Sequence, residues 1–259
     1  MQLNCDLGEL EFPLLDEQGN TLQDTASSRV ENLVMPFINQ ASIACGYHAG
    51  NEQTMLHTLR LARQYHVSVG AHPSYPDREN FGRVSMAFEH AELIHIIHQQ
   101  VETLSRLASD EGVVIDYIKP HGALYNDMMR DELIRTAVIE AVANLPQAVP
   151  LVLQAGADAK THKAQAAALG VDIILEAFAD RGYSEDGLLV PRSCIGAVHD
   201  ELKTLAQVRE LCESGAVTTV SGKKLTLQAD TLCVHGDNVQ AVSVIKKIRA
   251  LIDSLPHAQ

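Results

Sequence analysis

The segment V-I-D-Y-I-K-P-H-G-A-L-Y-N, residues 114–126, carries the strongest indication of the fold. An apolar run typical of a buried strand ends at Lys119, and a turn marked by a proline and a glycine follows directly. A lysine in that place directs its ammonium group toward a polar pocket, since an isolated charge is costly to bury. The turn gives the side chains of His121 and Tyr125 defined directions. The segment therefore predicts a polar site at the carboxyl end of this strand.

An alternation of strands and helices extends from this segment over the whole chain. The predicted strands are Gln2–Asp6, Ala41–Cys45, Val67–Ala71, Val114–Lys119, Leu151–Gln154, Asp172–Glu176 and Thr231–His235. The predicted helices are Ser27–Gln40, Glu52–His66, Phe88–Ser109, Asp131–Asn144, Ala157–Leu169, Asp200–Ser214 and Val239–Ser254. This alternation favours a parallel sheet, and Ser27 and Asp131 stand where helix N-caps are expected. The segment Val217–Leu227 is predicted to form a small antiparallel hairpin. We expect the chain, residues 1–259, to form one domain.

Seven such units could form an open doubly wound sheet or a closed barrel. Nearly every predicted strand is followed by a group capable of chemistry, and these groups are Asp6, His48, His72, Lys119 with His121, Glu176, and His235 with Asp237. In an open sheet, ligand-binding residues concentrate at the switch point of the strand order. In a barrel they come from the ends of many strands, because all of those ends surround one mouth. We therefore predict an α/β fold with a closed β/α barrel.

Composition disfavours several classes of function. The chain has 259 residues and a formal net charge of −13, which argues against binding nucleic acid or anionic lipid. No apolar run approaches the roughly 20 residues of a membrane helix, and the first residues lack signal-peptide features. The five cysteines are scattered without a C-x-x-C pair, which indicates reduced thiols and a cytoplasmic location. Cys45 fits a buried thiol of the barrel wall better than a nucleophile.

Two carboxylates and two histidines follow the first three predicted strands. Asp6 and Glu9 lie three residues apart in sequence, and paired carboxylates suit general acid–base work or metal ligation. His48 is bracketed by glycines, so the backbone beside it can approach a ligand closely. His72 opens a loop that two prolines stiffen. The alternative for the first segment is a polar loop in which Asp6 caps a helix.

Further polar residues are candidates for substrate binding. They are Arg78, Arg83, Tyr125, Glu176, Arg181, His235 and Asp237. Arginine forks bind carboxylate or phosphate through two hydrogen bonds, and Asp237 opens a predicted helix whose N-terminus suits a hydroxyl or phosphate group. The alternatives are solvated loop charges and, for Asp237, a helix cap. Neither G-x-x-x-x-G-K-[ST] nor G-x-G-x-x-G occurs, so no standard motif predicts a nucleotide site.

Six of the segments described above, taken together and in order, resemble one protein family. They are N-C-D-L-G-E (4–9), A-C-G-Y-H-A-G-N (44–51), G-A-H-P-S-Y-P-D-x-x-x-F-G-R (70–83), I-K-P-H-G-A-L-Y-N (118–126), E-A-F-A-D-R-x-Y (176–183) and C-V-H-G-D (233–237). The chain resembles the LamB/YcsF family over nearly its whole length. The resemblance implies an irregular seven-stranded, TIM-like β/α barrel, similar to that of the polysaccharide deacetylases.

The same resemblance implies an activity and partners. The family supplies the A subunit of a multi-subunit 5-oxoprolinase, which cleaves 5-oxoproline to L-glutamate with hydrolysis of ATP, together with PxpB- and PxpC-type subunits. A five-membered lactam is a stable amide and a poor electrophile. Phosphorylation of its carbonyl oxygen would make the carbon open to attack and would create a good leaving group. The missing P-loop is compatible with a partner subunit that handles part of the nucleotide chemistry.

Catalytic roles are predicted within this resemblance. The predicted catalytic residues are Asp6, Glu9, His48, His72, Lys119 and His121. Asp6 or Glu9 is the base that activates water, and Lys119 with His121 stabilises the negative charge that develops on oxygen.

The remaining roles concern protons, substrate and metal. His48 and His72 position the substrate or transfer protons, and Arg78 or Arg83 holds the substrate carboxylate. Barrels similar to the deacetylases often bind a divalent metal through one Asp and two His, and Asp6, His48 and His72 are the corresponding candidates. Two alternatives stay open: a metal-dependent amide hydrolase or deacetylase that acts alone, and a non-catalytic subunit that holds substrate for its partners.

Overall fold

The computed structural model describes residues 1–9, 26–234 and 239–255, which form a closed barrel of seven parallel strands with surrounding helices. The strands are β1 Gln2–Leu7, β2 Gln40–Ala44, β3 Ser68–His72, β4 Tyr117–Ile118, β5 Leu151–Gln154, β6 Ile173–Phe178, β7 Ala216–Thr218, β8 Lys224–Thr226 and β9 Thr231–Cys233. The helices are α1 Ala26–Val34, α2 Glu52–Tyr65, α3 His90–Asp110, α4 Gly122–Arg130, α5 Glu132–Ala143, α6 Ala159–Ala167, α7 Glu201–Ser214 and α8 Val239–Ser254. The predicted β/α barrel is confirmed.

The register of the strands brings their carboxyl ends to one rim. Asp6 of β1 pairs with Ser42 of β2, and Ala44 at the end of β2 pairs with His72 at the end of β3. Strand β9 closes the barrel because it pairs with both β1 and β6, whereas β7 and β8 form a separate antiparallel pair. Since all seven barrel strands are parallel, the loops that follow them surround a single mouth.

The apolar core lies between the barrel and the helices. Helix α3 buries Leu93, Ile97, Val101, Leu104 and Ala108, which recur every three or four residues. This spacing places them on one face of the helix, and that face packs against the core. The barrel strands are thereby held rigidly, so the loops at the mouth rest on a fixed support.

Hydrogen-bonded polar side chains occupy the buried interior below the mouth. Asn4 donates to the hydroxyl of Thr231 at 3.0 Å, and that hydroxyl donates to the side-chain oxygen of Gln40 at 2.7 Å. A Cβ atom at Gly70 would lie 2.1 Å from the ring of Tyr117, so this position accepts glycine alone while the ring stays in place. The polar interior continues directly into the site at the mouth.

Two elements near the fourth strand differ from the predictions. Strand β4 covers two residues and not the whole of Val114–Lys119. Helix α4, over nine residues, was not predicted. The proline and glycine of the preceding turn indicated a loop there, but the left-handed backbone of Gly122, with φ +58°, lets the helix begin directly after the turn.

The helix ends also deviate locally. Helix α1 covers Ala26–Val34, so Ser27, the predicted N-cap, lies within the helical segment. A proline in the 3₁₀ turn Met35–Phe37 follows, and β2 then starts at Gln40, where the helix was predicted to continue. Asp131 caps α5 as predicted. None of the helices in the described segments has the length and apolar character needed to span a membrane.

Candidate active site

Four side chains from successive strand ends meet at the mouth and are called here the histidine cluster: Glu9, His48, His72 and His121. Glu9 follows β1, His48 lies in the loop after β2, His72 ends β3, and His121 immediately precedes α4. One ligand atom from each lies within 4.8 Å of the corresponding atoms of the others. Among the described residues this is the one group of three or more such side chains that could hold a metal ion.

Hydrogen bonds on the far sides of the three imidazole rings fix their tautomers. Nδ1 of His72 lies 2.6 Å from the carbonyl oxygen of Lys119, and Nε2 of His121 lies 3.0 Å from that of Phe81. A carbonyl oxygen accepts only, so both of these ring nitrogens carry the proton. His48 Nδ1 lies 2.9 Å from the Ser74 hydroxyl, which donates its own proton to a backbone carbonyl. The neutral rings therefore present unprotonated nitrogens to the centre of the cluster.

Burial favours these neutral forms. It lowers the pKa of His48 well below its usual value, and the neighbouring His72 lowers it further. Burial likewise lowers the pKa of His121 well below its usual value, with His48 and His72 acting in the same direction. The rings of His48 and His121 stack with centroids 3.8 Å apart and an interplanar angle of 4°. A stacked pair at this distance is compatible with neutral imidazoles, because like charges there would repel strongly.

The loop after β3 contacts the histidines on the side away from the centre of the cluster. Gln100 of α3 accepts from the Ser74 backbone at 2.9 Å and donates to its carbonyl at 2.8 Å. Phe81 has φ +57°, a left-handed conformation that is unusual for a bulky residue, and its carbonyl accepts from His121. A Cβ atom at Gly82 would lie 2.8 Å from Cβ of His48, so the loop approaches the cluster as closely as glycine allows.

A second group, called here the lysine cluster, adjoins the first: Lys119, Asp6, Glu176, Asn4 and Cys233. Nζ of Lys119 lies 2.8 Å from Asp6 Oδ1 and 2.8 Å from Glu176 Oε1. It also donates to Asn4 at 3.1 Å and to the sulfur of Cys233 at 3.3 Å. Three of these contacts, with Asp6, Asn4 and Cys233, are hydrogen bonds and account for the three donors of the ammonium group, whereas Glu176 forms an ion pair with it. The chain's own acceptors therefore occupy Lys119.

Opposite charges within the lysine cluster stabilise one another. Burial works to lower the pKa of Lys119, but Asp6, Cys233 and Glu176 raise it well above its usual value, so the amine stays protonated. Tyr125 donates to Glu176 Oε2 at 3.1 Å. Burial raises the pKa of the Cys233 thiol, although Lys119 acts against this. Cys45, on the neighbouring wall, is buried too, and burial raises its pKa to about 12, which fits a structural thiol.

Asp6 connects the two clusters. Its Oδ1 accepts from Lys119, and its Oδ2 lies 3.4 Å from Nε2 of His72. Glu9 Oε1 lies 3.4 Å from His48 Nε2 and 3.4 Å from His121 Nδ1. The sequence predicted metal ligation by Asp6, His48 and His72. The structure brings Glu9 and His121 together with the two histidines, and it places Asp6 between His72 and Lys119.

A cavity of about 260 Å³ opens above both clusters. The clusters contribute Asp6, Glu9, His72, Lys119 and His121 to its lining. The basic residues at its sides are Arg83, Arg130, Arg181 and Arg192. A cavity lined by carboxylates and imidazoles below and by guanidinium groups around it suits a small anionic ligand that undergoes acid–base chemistry.

The predicted arginines occupy different environments. Arg83 lines the cavity, with its guanidinium carbon 4.8 Å from the centre of the Phe81 ring. Arg78 donates to the carbonyls of Gly46 and Gly50 and so braces the loop that carries His48. Arg181 lines the cavity but donates to two backbone carbonyls, and burial lowers its pKa to about 10.

Several residues of the site were not among the predicted site residues. Arg130, at the end of α4, and Arg192, in the loop after β6, line the cavity. Glu31 of α1 is buried and accepts from the backbone N–H of Gly8 at 2.8 Å and from the Thr58 hydroxyl at 2.7 Å. Burial raises the pKa of Glu31 to about 7. An acidic residue inside an amphipathic helix gives no signal of such a role. His235 and Asp237 lie outside the described residues.

Comparison with known proteins places the chain in a family. The family model described as LamB/YcsF family matches residues 1–257. The chain belongs to the LamB/YcsF family. The 5-oxoprolinase A subunit of Vibrio cholerae (El Tor Inaba) is 43% identical over 254 residues, covering 98% of each chain. The 5-oxoprolinase A subunit 2 of Pseudomonas putida is 41% identical over 256 residues, covering 98% of this chain and 94% of that protein.

A solved structure shares the architecture. The crystal structure of a lactam utilization protein from Thermus thermophilus matches with a TM-score of 0.82 at 31% identity. The match covers 98% of this chain and 96% of that protein. The family resemblance inferred from the six sequence segments is thereby confirmed.

Proposed function

We propose that this chain is the A subunit of an ATP-dependent 5-oxoprolinase and opens the lactam ring of 5-oxoproline to give L-glutamate. The observation that carries the proposal is the identity of 41–43% to proteins named as 5-oxoprolinase A subunits, over 98% of this chain. The two clusters at the mouth support it, because opening a lactam requires a base for water and groups that handle charge on oxygen and nitrogen.

Asp6 is the base in this proposal. Its carboxylate lines the cavity, and the ammonium group of Lys119, 2.8 Å from Oδ1, holds it in place. Lys119 thus acts first on Asp6, since its own donors are occupied within the lysine cluster. A direct contact of Lys119 with a developing oxyanion would require it to release one of these partners. Glu9 is the alternative base, because it also reaches the cavity.

The arginines recognise the anionic groups of the substrate. The carboxylate of 5-oxoproline can accept two hydrogen bonds from a guanidinium group. Of the predicted arginines, Arg83 lines the cavity and has no backbone carbonyl among its described partners. Arg130 and Arg192 stand on other parts of the same lining. They are placed to attract a second anionic group, such as a phosphoryl group carried by an activated substrate.

In this proposal, ATP is used to activate the lactam carbonyl. The sequence holds no P-loop, so we assign phosphoryl transfer to the complex with PxpB- and PxpC-type subunits and ring opening to this chain. The five cysteines are all free thiols, which fits the proposed cytoplasmic location.

The test is glutamate release from 5-oxoproline by the purified chain, with and without its partner subunits and ATP. The proposal predicts turnover by the complete complex with ATP and little or none by the chain alone. Full ATP-coupled turnover by the chain alone would contradict the division of labour. If substitution of Asp6, Glu9 and Lys119 leaves the turnover of the complex unchanged, this chain only holds the substrate for its partners.

A second candidate function is favoured by one observation. The histidine cluster is of the kind used by metal-dependent amide hydrolases and deacetylases, which act without ATP. Turnover of 5-oxoproline or another amide by the metal-loaded chain without ATP and without partners would establish this function in place of the first.

A further inference from the structure

The centre of the histidine cluster brings acceptor atoms face to face. His72 Nε2 and His121 Nδ1 lie 2.9 Å apart, and both nitrogens are unprotonated in the neutral tautomers that the carbonyls of Lys119 and Phe81 require. His48 Nε2 and Glu9 Oε1 are buried without a hydrogen-bond partner. Lone pairs that converge in this way repel one another unless a positive charge lies between them.

We propose that Glu9, His48, His72 and His121 form a binding site for one divalent transition-metal ion of the zinc type. Three neutral imidazoles and one carboxylate are a common ligand set for such an ion, while Mg²⁺ and Ca²⁺ prefer sites built from oxygen alone. The inference concerns metal binding by this chain and does not depend on the identity of the substrate.

The distances fit this ligand set. Tetrahedral zinc with bonds of about 2.0–2.1 Å holds its ligand atoms roughly 3.3 Å apart. The pairs His48–Glu9 and His121–Glu9 are each separated by 3.4 Å, and the pair His72–His121 by 2.9 Å. No ligand atom of the four lies more than 4.8 Å from another. Small rotations of the rings would therefore centre an ion between them.

The surroundings of the ligands are those expected of a metal site. Metal-binding histidines usually donate their second ring N–H to a carbonyl, a carboxylate or another acceptor, which fixes the tautomer. All three rings do so here, toward Lys119 O, Phe81 O and Ser74 Oγ. Ser74 and Phe81 belong to the loop after β3, and Lys119 directly follows β4, so two successive strand ends supply these acceptors.

The position of the cluster suggests what the ion would serve. Glu9, His72 and His121 line the cavity, so the ion would be open to a small ligand on one side. A divalent ion there supplies Lewis acidity toward a carbonyl or lowers the pKa of water. Asp6, 3.4 Å from His72, then stands beside the ion as a base and not as a ligand.

The competing arrangement places extra protons between the facing pairs. One proton would join His72 to His121, and a second would join His48 to Glu9. Such a cluster would have no special affinity for a metal ion, so direct measurement of binding separates the two arrangements.

The experiment uses the full chain without an affinity tag, prepared metal-free with a chelator and then dialysed. It is titrated with Zn²⁺ and, separately, with Co²⁺, whose visible d–d absorption reports the coordination of the ion. We expect about one ion per chain by elemental analysis and intense Co²⁺ bands typical of four-coordinate nitrogen and oxygen ligands. No binding beyond that of a buffer blank, or the weak bands of hydrated Co²⁺, would overturn the proposal.

Matched variants locate the ion. His48→Gln and Glu9→Gln should abolish the Co²⁺ bands, while His162→Gln should bind Co²⁺ like the unaltered chain, because His162 is also buried but lies outside the cluster. Ser74→Ala leaves all four ligands in place and should weaken binding by about 10–100-fold through loss of the acceptor for His48. Unchanged affinity in both His48→Gln and Glu9→Gln, with circular dichroism confirming a folded chain, would overturn the assignment.

Discussion

The histidine cluster and the lysine cluster lie side by side at one mouth but satisfy their polar atoms in opposite ways. In the lysine cluster, the ammonium group of Lys119 lies 2.8 Å from each of two carboxylates, so the chain supplies its own counter-charges. In the histidine cluster, hydrogen bonds on the far sides of the rings turn unprotonated nitrogens toward one another and toward Glu9. The first cluster has its positive charge within the chain, whereas in our proposal a bound metal ion supplies the positive charge of the second.

This difference indicates a division of roles. A buried ion pair of this kind keeps its charges fixed and is strongly coupled to folding, since removing one partner leaves another charge buried. Converging lone pairs oppose folding unless a cation lies between them. Asp6 contacts both clusters and is therefore the residue whose loss should affect function most.

The largest expected effect is that of Asp6→Asn on turnover by the complete complex. The substitution keeps the shape but removes the charge and the basicity, so kcat should fall by about 10²–10⁴-fold. The metal content should change little, because Asp6 is outside the proposed ligand set. The loss of stability should be smaller than that of Lys119→Met, because Glu176 still pairs with the ammonium group. Asp110→Asn, at the exposed end of α3, is the control and should behave like the unaltered chain.

Two outcomes would revise this assignment in different ways. Near-normal kcat in Asp6→Asn would move the base to Glu9 or Glu176 and leave Asp6 a structural residue. Loss of bound metal together with activity would return Asp6 to the ligand set that the sequence predicted.

Lys119→Met should cause the next largest effect, and it should appear in stability. The substitution leaves the buried carboxylate of Glu176 and the partly buried carboxylate of Asp6 without their counter-charge, so the free energy of unfolding should fall by about 3–5 kcal/mol. Urea unfolding at neutral pH measures this loss. The double variant Lys119→Met/Glu176→Gln should recover part of it, and a loss below about 1 kcal/mol in the single variant would show that the pair is not coupled to folding.

Glu31→Gln tests whether the buried Glu31 carboxyl group makes the free energy of unfolding depend on pH. Burial raises the pKa of Glu31 in the folded chain to about 7 from 4.5, so its contribution to stability is complete below pH 4.5 and is lost as the pH rises to about 7. The glutamine variant cannot lose a proton in this window. The difference between the two unfolding free energies should therefore change by on the order of 3 kcal/mol across it.

Histidines titrate over part of the same range, which is why the difference between variant and unaltered chain is the quantity to measure. Both proteins are unfolded with urea at several pH values in the presence of chelator. Parallel curves for the two proteins would show that Glu31 is ionised throughout and that burial does not hold its proton.

Tyr125→Phe should give the smallest effect of the four. It removes the hydroxyl that donates to Glu176 at 3.1 Å, and a hydrogen bond to a charged group contributes about 1.5–3 kcal/mol. Tyr47→Phe is the matched control, because the Tyr47 hydroxyl donates to Gln99 at an exposed position and should contribute less. Equal unfolding free energies for the two variants would contradict the view that the lysine cluster is coupled to folding.

The fold and the strand-end residues could be predicted because both depend on local sequence. Apolar runs that end in Asp6, His72 and Lys119 indicate where strands stop, and a barrel brings those ends together. Helix α4 was missed because a proline lies just before it and a glycine is its first residue, although the left-handed backbone of that glycine lets the helix begin directly after the turn.

What could not be predicted depends on partners that are distant in sequence. The separation of the strand-end groups into two clusters follows from the contact of Lys119 with Asp6, 113 residues earlier in the chain. The meeting of Glu9 and His121 with His48 and His72 likewise depends on contacts between residues far apart in the chain. The tautomers depend on backbone carbonyls such as that of Phe81, and a carbonyl has no sequence signature. Glu31 acts through its burial, which its place in a helix does not reveal.

The central claim is that the histidine cluster binds a metal ion, whereas the lysine cluster has its counter-charges within the chain. The most direct test is an anomalous difference map at the zinc absorption edge, from crystals of the untagged chain grown with Zn²⁺. We predict a single strong peak bonded to Glu9, His48, His72 and His121, with Asp6 still paired to Lys119. Absence of a peak at the mouth, or a peak bonded to Asp6, His48 and His72 without Glu9 and His121, would contradict the account.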